Sequence, residues 1–265
     1  MNNFNYIILI IIIIIIILIL KFIIVTNVNN VNNVNNVNKK NLKNLKRKND
    51  TILLVHFDSV KSRKILRELK ARSNNVIEYN PYIENLTKKK LESYKRCSGL
   101  VISGNNPDLK TVELPKIQID PFGRSFYDRI KRIIDIFQDK KILGICYGSQ
   151  LLWHYYGGTC IYHEDLYGYR VGSHSKKIYM KTPRDRLLKG VRIDNKMNFF
   201  RNILLSPDQG PKNVRIISLD ETLHKGNVKK NISGYRVNNK NIWGVVFHPE
   251  SSSDGNIIFD NYMNI

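Results

Sequence analysis

ILGICYGSQLL, residues 142–152, is the stretch whose reading decides the fold. KILGI (141–145) is a short apolar run that reads as a buried strand, and SQLLWHYYGG (149–158) reads as a helix closed by glycine. Between them lies Gly-x-Cys-x-Gly, with Gly144, Cys146 and Gly148 in the three fixed places. A strand that turns at once into a helix, with a reactive side chain on the turn, is a nucleophile elbow, here with cysteine in place of serine. Each residue type has a physical reason. The nucleophile must stand on a sharp, strained turn, and the two glycines leave room for close backbone packing on either side of it. The helix that follows points the positive end of its dipole at the sulfur, which favours thiolate. The N–H of Tyr147 is then aimed where an oxyanion would form.

The elbow is the fourth strand of a regular series. TILLVHFD (51–58) reads as a buried strand, and SVKSRKILRELKARS (59–73) has helical spacing at Val60, Ile65, Leu66 and Leu69. NVIEYNPY (75–82) is a second strand, KKKLESYKR (88–96) a helix, and GLVISG (99–104) a third strand that ends in Gly-Asn-Asn-Pro. DRIKRIIDIFQDK (128–140) is an amphipathic helix. Strands that alternate with helices predict an α/β fold, a doubly wound and mostly parallel sheet with helices on both faces. After residue 159 the pattern changes to shorter strands and turns, and GNIIFDNYMNI at the end reads as a closing helix.

A second motif lies near the end of the chain. In WGVVFHPESS (243–252) an apolar strand delivers His248 and Glu250 to a loop stiffened by Pro249. The spacing lets the carboxylate fix one imidazole nitrogen while the other faces the thiol. A Gly-x-Cys-x-Gly alone is short enough to arise by chance, and a lone histidine is more often structural. Two such motifs in this order, each at the end of a predicted strand, favour chemistry over chance. The candidate catalytic residues are therefore Cys146, His248 and Glu250.

The first 48 residues are unlike the rest. IILIIIIIIIILILKFIIV (7–25) is apolar apart from Lys21 and is close to the length of a membrane-spanning helix. MNNFNY offers no positive start and no small-residue cleavage site follows, so an anchor is expected over 1–26 rather than a cleaved signal. The repeat NVNNVNNVNNVN (27–38) and the basic KKNLKNLKRK (39–48) form an Asn-rich, disordered linker over 27–50. Its basic cluster predicts a single-pass membrane protein with the domain, 51–265, on the cytosolic side. The formal charge is +21, from 43 basic and 22 acidic residues. Seven of the basic residues and none of the acidic ones fall within 1–48, which leaves an excess of 14 elsewhere. Ile, Asn and Lys are abundant throughout the chain, and Asn and Lys even in the linker, so the excess follows the composition. No basic motif interleaved with aromatics is present, and nucleic acid is not an expected partner. The three cysteines, Cys97, Cys146 and Cys160, fit neither a disulfide framework nor a metal site. No metal or other cofactor is expected. Cys97 and Cys160 read as inert, His154, His163, His174 and His224 as structural, and Trp153, Tyr155 and Tyr156 as packing.

Gly-x-Cys-x-Gly-x-Gln followed about a hundred residues later by Phe-His-Pro-Glu resembles the triad (class I) glutamine amidotransferases. GICYGSQLL followed by Gly-Gly is most similar to the glutaminase domain of GMP synthase. The likeness covers nearly all of 51–265 and implies a flavodoxin-like sheet. It further implies that Cys146 attacks the carboxamide of glutamine, that His248 shuttles the proton and that Glu250 orients His248. Tyr147 and the Gly104–Asn105 turn would hold the oxyanion, and Gly148 and Gln150 would bind substrate. The sequence departs from the family in three places. The turn after the third strand reads Gly104-Asn105-Asn106-Pro107 rather than Gly-Gly-Pro. FFRNILLSPD (199–208) lacks the family's Ser-His. Ser251-Ser252-Ser253 follows His-Pro-Glu as in the anthranilate synthase branch. No ammonia-accepting domain or phosphate loop is present, so the resemblance implies a separate acceptor synthase subunit. Two alternatives stay open: a stand-alone γ-glutamyl hydrolase acting on another γ-glutamyl compound, and a catalytically silent, membrane-tethered binding protein.

Overall fold

The computed structural model describes residues 50–73, 75–104, 126–162, 173–182, 184–192, 196–200 and 203–265. All of them belong to one compact unit, Arg47–Ile265. The expected anchor (1–26), nearly all of the linker, and Asn105 lie outside the described residues. Among the described residues no helix is long and apolar enough to cross a membrane.

Five parallel strands form the centre of the sheet: β1 (Thr51–Val55), β2 (Asn75–Tyr79), β3 (Gly99–Ile102), β4 (Lys141–Ile145) and β11 (Ile242–Val245), in the order β2-β1-β3-β4-β11. β1, β3, β4 and β11 are near-continuous apolar runs because strands covered on both faces bury nearly every side chain, whereas β2, NVIEY at the edge, is only partly buried. Alternate residues then enter two separate cores. Leu53, Val55, Leu100, Ile102, Ile142 and Ile242 face one, while Ile52, Leu54, Val101, Leu143, Ile145, Trp243 and Val245 face the other.

The helices supply the covers. α1 (Val60–Lys70) turns Ile65 and Leu69 inward, and α5 (Gly255–Met263) turns Ile258, Phe259 and Tyr262 into the same core. On the opposite face lie α2 (Lys88–Tyr94), α3 (Phe126–Ile136) and α4 (Tyr147–Tyr155). Ile130, Ile133, Ile134 and Phe137 follow the i, i+3, i+4, i+7 spacing of a single apolar stripe and are fully buried. Ser59 caps α1 by accepting from the Ser62 N–H at 3.0 Å, and Thr87 caps α2 by accepting from the Lys90 N–H at 3.2 Å. The doubly wound arrangement expected from the sequence is present.

The second half of the domain differs from its sequence reading. Four antiparallel strands extend the sheet beyond β11 in the order β10-β9-β6-β7: β10 (Asn227–Val237), β9 (Val214–His224), β6 (Ser173–Met180) and β7 (Lys196–Phe200). A separate pair, β5 (Cys160–Tyr162) and β8 (Ile203–Leu205), completes the fold. β9 and β10 are 11 residues each, not short. They meet at Lys225-Gly226, both at positive φ, as a tight hairpin of this kind requires. The outer end of β10, NVKK, is exposed.

Asp185 ties this half to the central sheet. Its buried carboxylate accepts from the Leu187 N–H at 3.0 Å, the Trp243 indole at 2.9 Å and Arg215 at 3.2 Å. Arg236 stacks over the Trp243 ring at 4.8 Å.

Candidate active site

The site begins with strand register. β11 runs parallel to β4 with Val245 opposite Ile145. Cys146, one residue past the end of β4, and His248, three past the end of β11, are therefore delivered to neighbouring strand ends. This is the carboxyl edge of a parallel sheet, where open α/β folds place their sites.

Cys146 sits at φ 52°, ψ −108°, immediately before α4. A non-glycine residue with positive φ is strained, and here the surroundings fix it. Cys146 N–H donates to Val245 O at 2.8 Å, and the Ser149 hydroxyl donates to Cys146 O at 2.6 Å. The Tyr235 hydroxyl braces the next turn by donating to Ser149 O at 2.6 Å. The glycines allow the approach. A Cβ on Gly144 would lie 2.7 Å from Gly148 O, and one on Gly148 would lie 2.1 Å from Ile102 O.

His248 and Glu250 are equally fixed. Pro249–Ser251 forms a single 3-10 turn, and His248 Nδ1 and Glu250 Oε1 are 2.6 Å apart, both side chains almost wholly buried. His248 N–H donates to Asn198 O on β7 at 2.7 Å. Ser252 explains part of the serine run: its hydroxyl donates to His248 O at 2.7 Å and accepts from Asn198 N–H at 2.9 Å, and the Asn198 side chain donates to Ser251 O. The loop carrying the imidazole is thus stitched to a strand whose part in the site the sequence did not reveal.

The thiol and the imidazole are neighbours. A Cβ built on Gly104 would lie 3.1 Å from His248 Cε1, 3.3 Å from Cys146 Cβ and 3.8 Å from Cys146 Sγ. His248 Nε2 is buried with no oxygen or nitrogen partner among the described residues, and the sulfur is what stands beside it. Burial alone would raise the Cys146 thiol, but the charge of His248, a hydrogen bond to it and the charge of Lys61 together hold it below its ordinary value. Burial alone would discharge His248, but the charge of Cys146, helped by Glu250, pushes it up to about 9. The other thiols behave in the opposite way: burial raises Cys97 and pushes Cys160 up to about 12. One thiol of the three is in an activating environment.

The remaining sequence candidates are placed as follows. Tyr147 opens α4, and Gly104, two residues past the end of β3, lies against both Cys146 and His248. Gly148 has a packing task at the elbow: its N–H donates to Ser103 O at 3.1 Å. Gln150 is buried, with Nε2 donating to Ile203 O at 3.4 Å. Trp153 packs edge-on against Tyr235 and donates to Thr159 O at 3.0 Å, in keeping with a packing role. Lys61, on α1, was missed by sequence reasoning. One lysine among many carries no local signal, and only the packing of α1 on the 3-10 turn of Glu250 brings it near. Among the described residues there is no cluster of side chains that could hold a metal ion.

A doubly wound sheet that sets an elbow thiol beside a buried imidazole–carboxylate pair has the form of an α/β thiol hydrolase. The chain belongs to the glutamine amidotransferase class-I family, whose model matches residues 53–265. It is 27% identical over 216 residues to the glutamine-hydrolysing GMP synthase of Helicobacter pylori, covering 80% of this chain and 35% of that one. It is 22% identical over 167 residues to anthranilate synthase component 2 of Methanothermobacter thermautotrophicus, covering 60% of this chain and 77% of that one. The chain thus spans about a third of the length of the GMP synthase. Among solved structures, a protein from Thermoplasma acidophilum described as a GMP synthase subunit shares the fold, with a TM-score of 0.60 and 17% identity over 81% of this chain and 92% of that one.

Proposed function

We propose that the domain hydrolyses glutamine through a Cys146 γ-glutamyl thioester and passes the ammonia to a separate, GMP synthase-like acceptor subunit. The observation that supports this most is the meeting of the strained elbow thiol with the buried His248–Glu250 pair. The Cys146 thiolate attacks the carboxamide carbon, forming the C–S bond, and the charge moves to the carbonyl oxygen. The N–H of Tyr147 and a backbone N–H of the Gly104–Asn105 turn receive that oxyanion. His248, held in one orientation by Glu250, gives its proton to the leaving nitrogen, and the C–N bond breaks to release ammonia. Water then gives a proton to His248 and its oxygen attacks the thioester. Glutamate leaves and the thiolate returns. Gln150 helps to position the glutamine.

Labelling tests this reading. The full-length chain in detergent, treated with a glutamine-mimicking diazoketone, is expected to gain one adduct that maps to Cys146. The adduct should be absent from Cys146→Ala and slowed by excess glutamine. A Cys146 that reacts with iodoacetamide but not with the diazoketone would count against free glutamine. It would favour the γ-glutamyl hydrolase alternative, which the absence of histidine from 199–208 also suits.

The apolar run 7–25 is proposed to hold the domain at a membrane as a single-pass anchor, with residues 51–265 on the cytosolic side. The full-length chain should then float with lipid vesicles in 1 M salt, and a chain starting at residue 27 should not. Equal flotation of the two would refute the anchor.

A further inference from the structure

We propose that Lys61 is a positioning residue of the site, a cation that the first turn of α1 carries at the edge bearing Cys146 and Glu250, where its charge supports the nucleophile and offsets the buried carboxylate of Glu250. The inference rests on the reading of Cys146 as nucleophile. Lys61 stands in the first turn of α1, which follows the carboxyl end of β1 and so lies on the site's edge of the sheet. The backbone there is pinned from two sides. The neighbouring Ser62 is buried, and its hydroxyl is 2.8 Å from that of Ser59 and 2.9 Å from that of Ser103, one residue before Gly104. α1 also packs directly on the 3-10 turn that carries Glu250. The turn bearing Lys61 therefore has little freedom to move away from the thiol.

Glu250 shows why a cation belongs there. Oε1 is engaged by His248, but Oε2 is buried and has no hydrogen-bond partner among the described residues. A buried carboxylate oxygen without a donor is costly unless positive charge lies near. Among the described residues, the groups that act electrostatically on Lys61 are Cys146, Glu250 and, one turn along its own helix, Lys64. Cys146 in turn responds to His248, Glu250 and Lys61. Burial draws the Lys61 ammonium below its ordinary value, and the two negative neighbours act to keep it charged. Removing a positive charge from beside a thiolate raises the thiol pKa, so the loss is greatest on the acid side of the midpoint.

The test follows the rate of Cys146 alkylation by iodoacetamide against pH in the full-length chain, with Cys97 and Cys160 replaced by Ala. Lys61→Met keeps the apolar stem and removes the charge. It should move the midpoint upward by about half a unit to one unit, which is about three- to tenfold less thiolate on the acid limb. Lys61→Arg should restore the wild-type midpoint, and Lys64→Ala should leave it within about 0.2 units because Lys64 is exposed and solvent screens its charge. An unchanged midpoint in Lys61→Met overturns the inference while leaving the nucleophile in place. So does an equal shift in Lys61→Met and Lys61→Arg, which would mean packing, or in Lys64→Ala, which would mean the general field of the helix. A wild-type midpoint at the ordinary thiol value would instead remove the nucleophile reading itself. Lys61→Gln serves as the second variant if Lys61→Met does not fold.

Discussion

Replacing His248 by Asn is expected to cut the reactivity of Cys146 at pH 7 by about two orders of magnitude or more. The sulfur is buried, and burial by itself drives a thiol towards its neutral form. His248 is the largest influence acting the other way, and without it Lys61 is left to oppose burial from a partly exposed position. The direction with pH follows from the two shifts. In the wild type the thiolate–imidazolium pair forms as pH rises through the lowered thiol pKa, and it persists until His248 loses its proton near 9. Alkylation should therefore have risen well before pH 9 and should change character there. In His248→Asn the rise should come at or above the ordinary thiol value, as a single step. Glutamine hydrolysis should fall by at least about 10²-fold, because the proton for the leaving ammonia is lost as well. Superimposable alkylation profiles for the two proteins would show that the imidazole does not control the sulfur.

Gly148→Ala is expected to lower stability by about 3 kcal/mol and to displace the elbow. The added methyl would lie 2.1 Å from Ile102 O and 2.7 Å from Ile102 C. These are backbone atoms of β3, a strand buried on both faces, so no flexible side chain can give way. Relief must come from moving α4 off the sheet. That breaks the hydrogen bond from Gly148 N–H to Ser103 O and shifts Cys146 and the Tyr147 N–H away from Gly104 and His248. For a domain of this size, about 3 kcal/mol corresponds to a fall in Tm of roughly 6–12 °C. Gly157→Ala is the comparison. Gly157 has φ +91° with nothing within 4 Å of an added Cβ, so only the backbone cost of about 1 kcal/mol applies. A Gly148→Ala protein that melts like the wild type and labels at full rate would refute the packing account.

Much of the first half of the domain could be read directly from the chain. β1, β3, β4 and β11 are apolar runs bounded by turn residues, and α1 and α3 carry an apolar stripe at helical spacing, because burial imposes those patterns locally. The elbow could be read for the same reason. Gly144 and Gly148 are demanded by contacts that any strand–turn–helix packing of this kind creates. His248 and Glu250 lie two residues apart, so their hydrogen bond is also close to a local matter. The second half was harder. The exposed outer end of β10 pairs with β9 through its backbone, and its side chains carry no apolar alternation to announce it.

The sequence by itself therefore determined the doubly wound sheet, the turn that bears Cys146 and the loop that bears the His–Glu pair, since these depend on short-range periodicity and on backbone conformations few residues allow. Tertiary structure alone decided that β11 returns beside β4, and so that a thiol and an imidazole 102 residues apart in the chain face one another. It alone also recruited Asn198 and Ser252 to hold the histidine loop and brought Lys61 to the edge of the site. Long-range strand pairing and helix packing leave no fixed spacing in the chain, and a polar side chain shows its partner only once the fold has brought the two together.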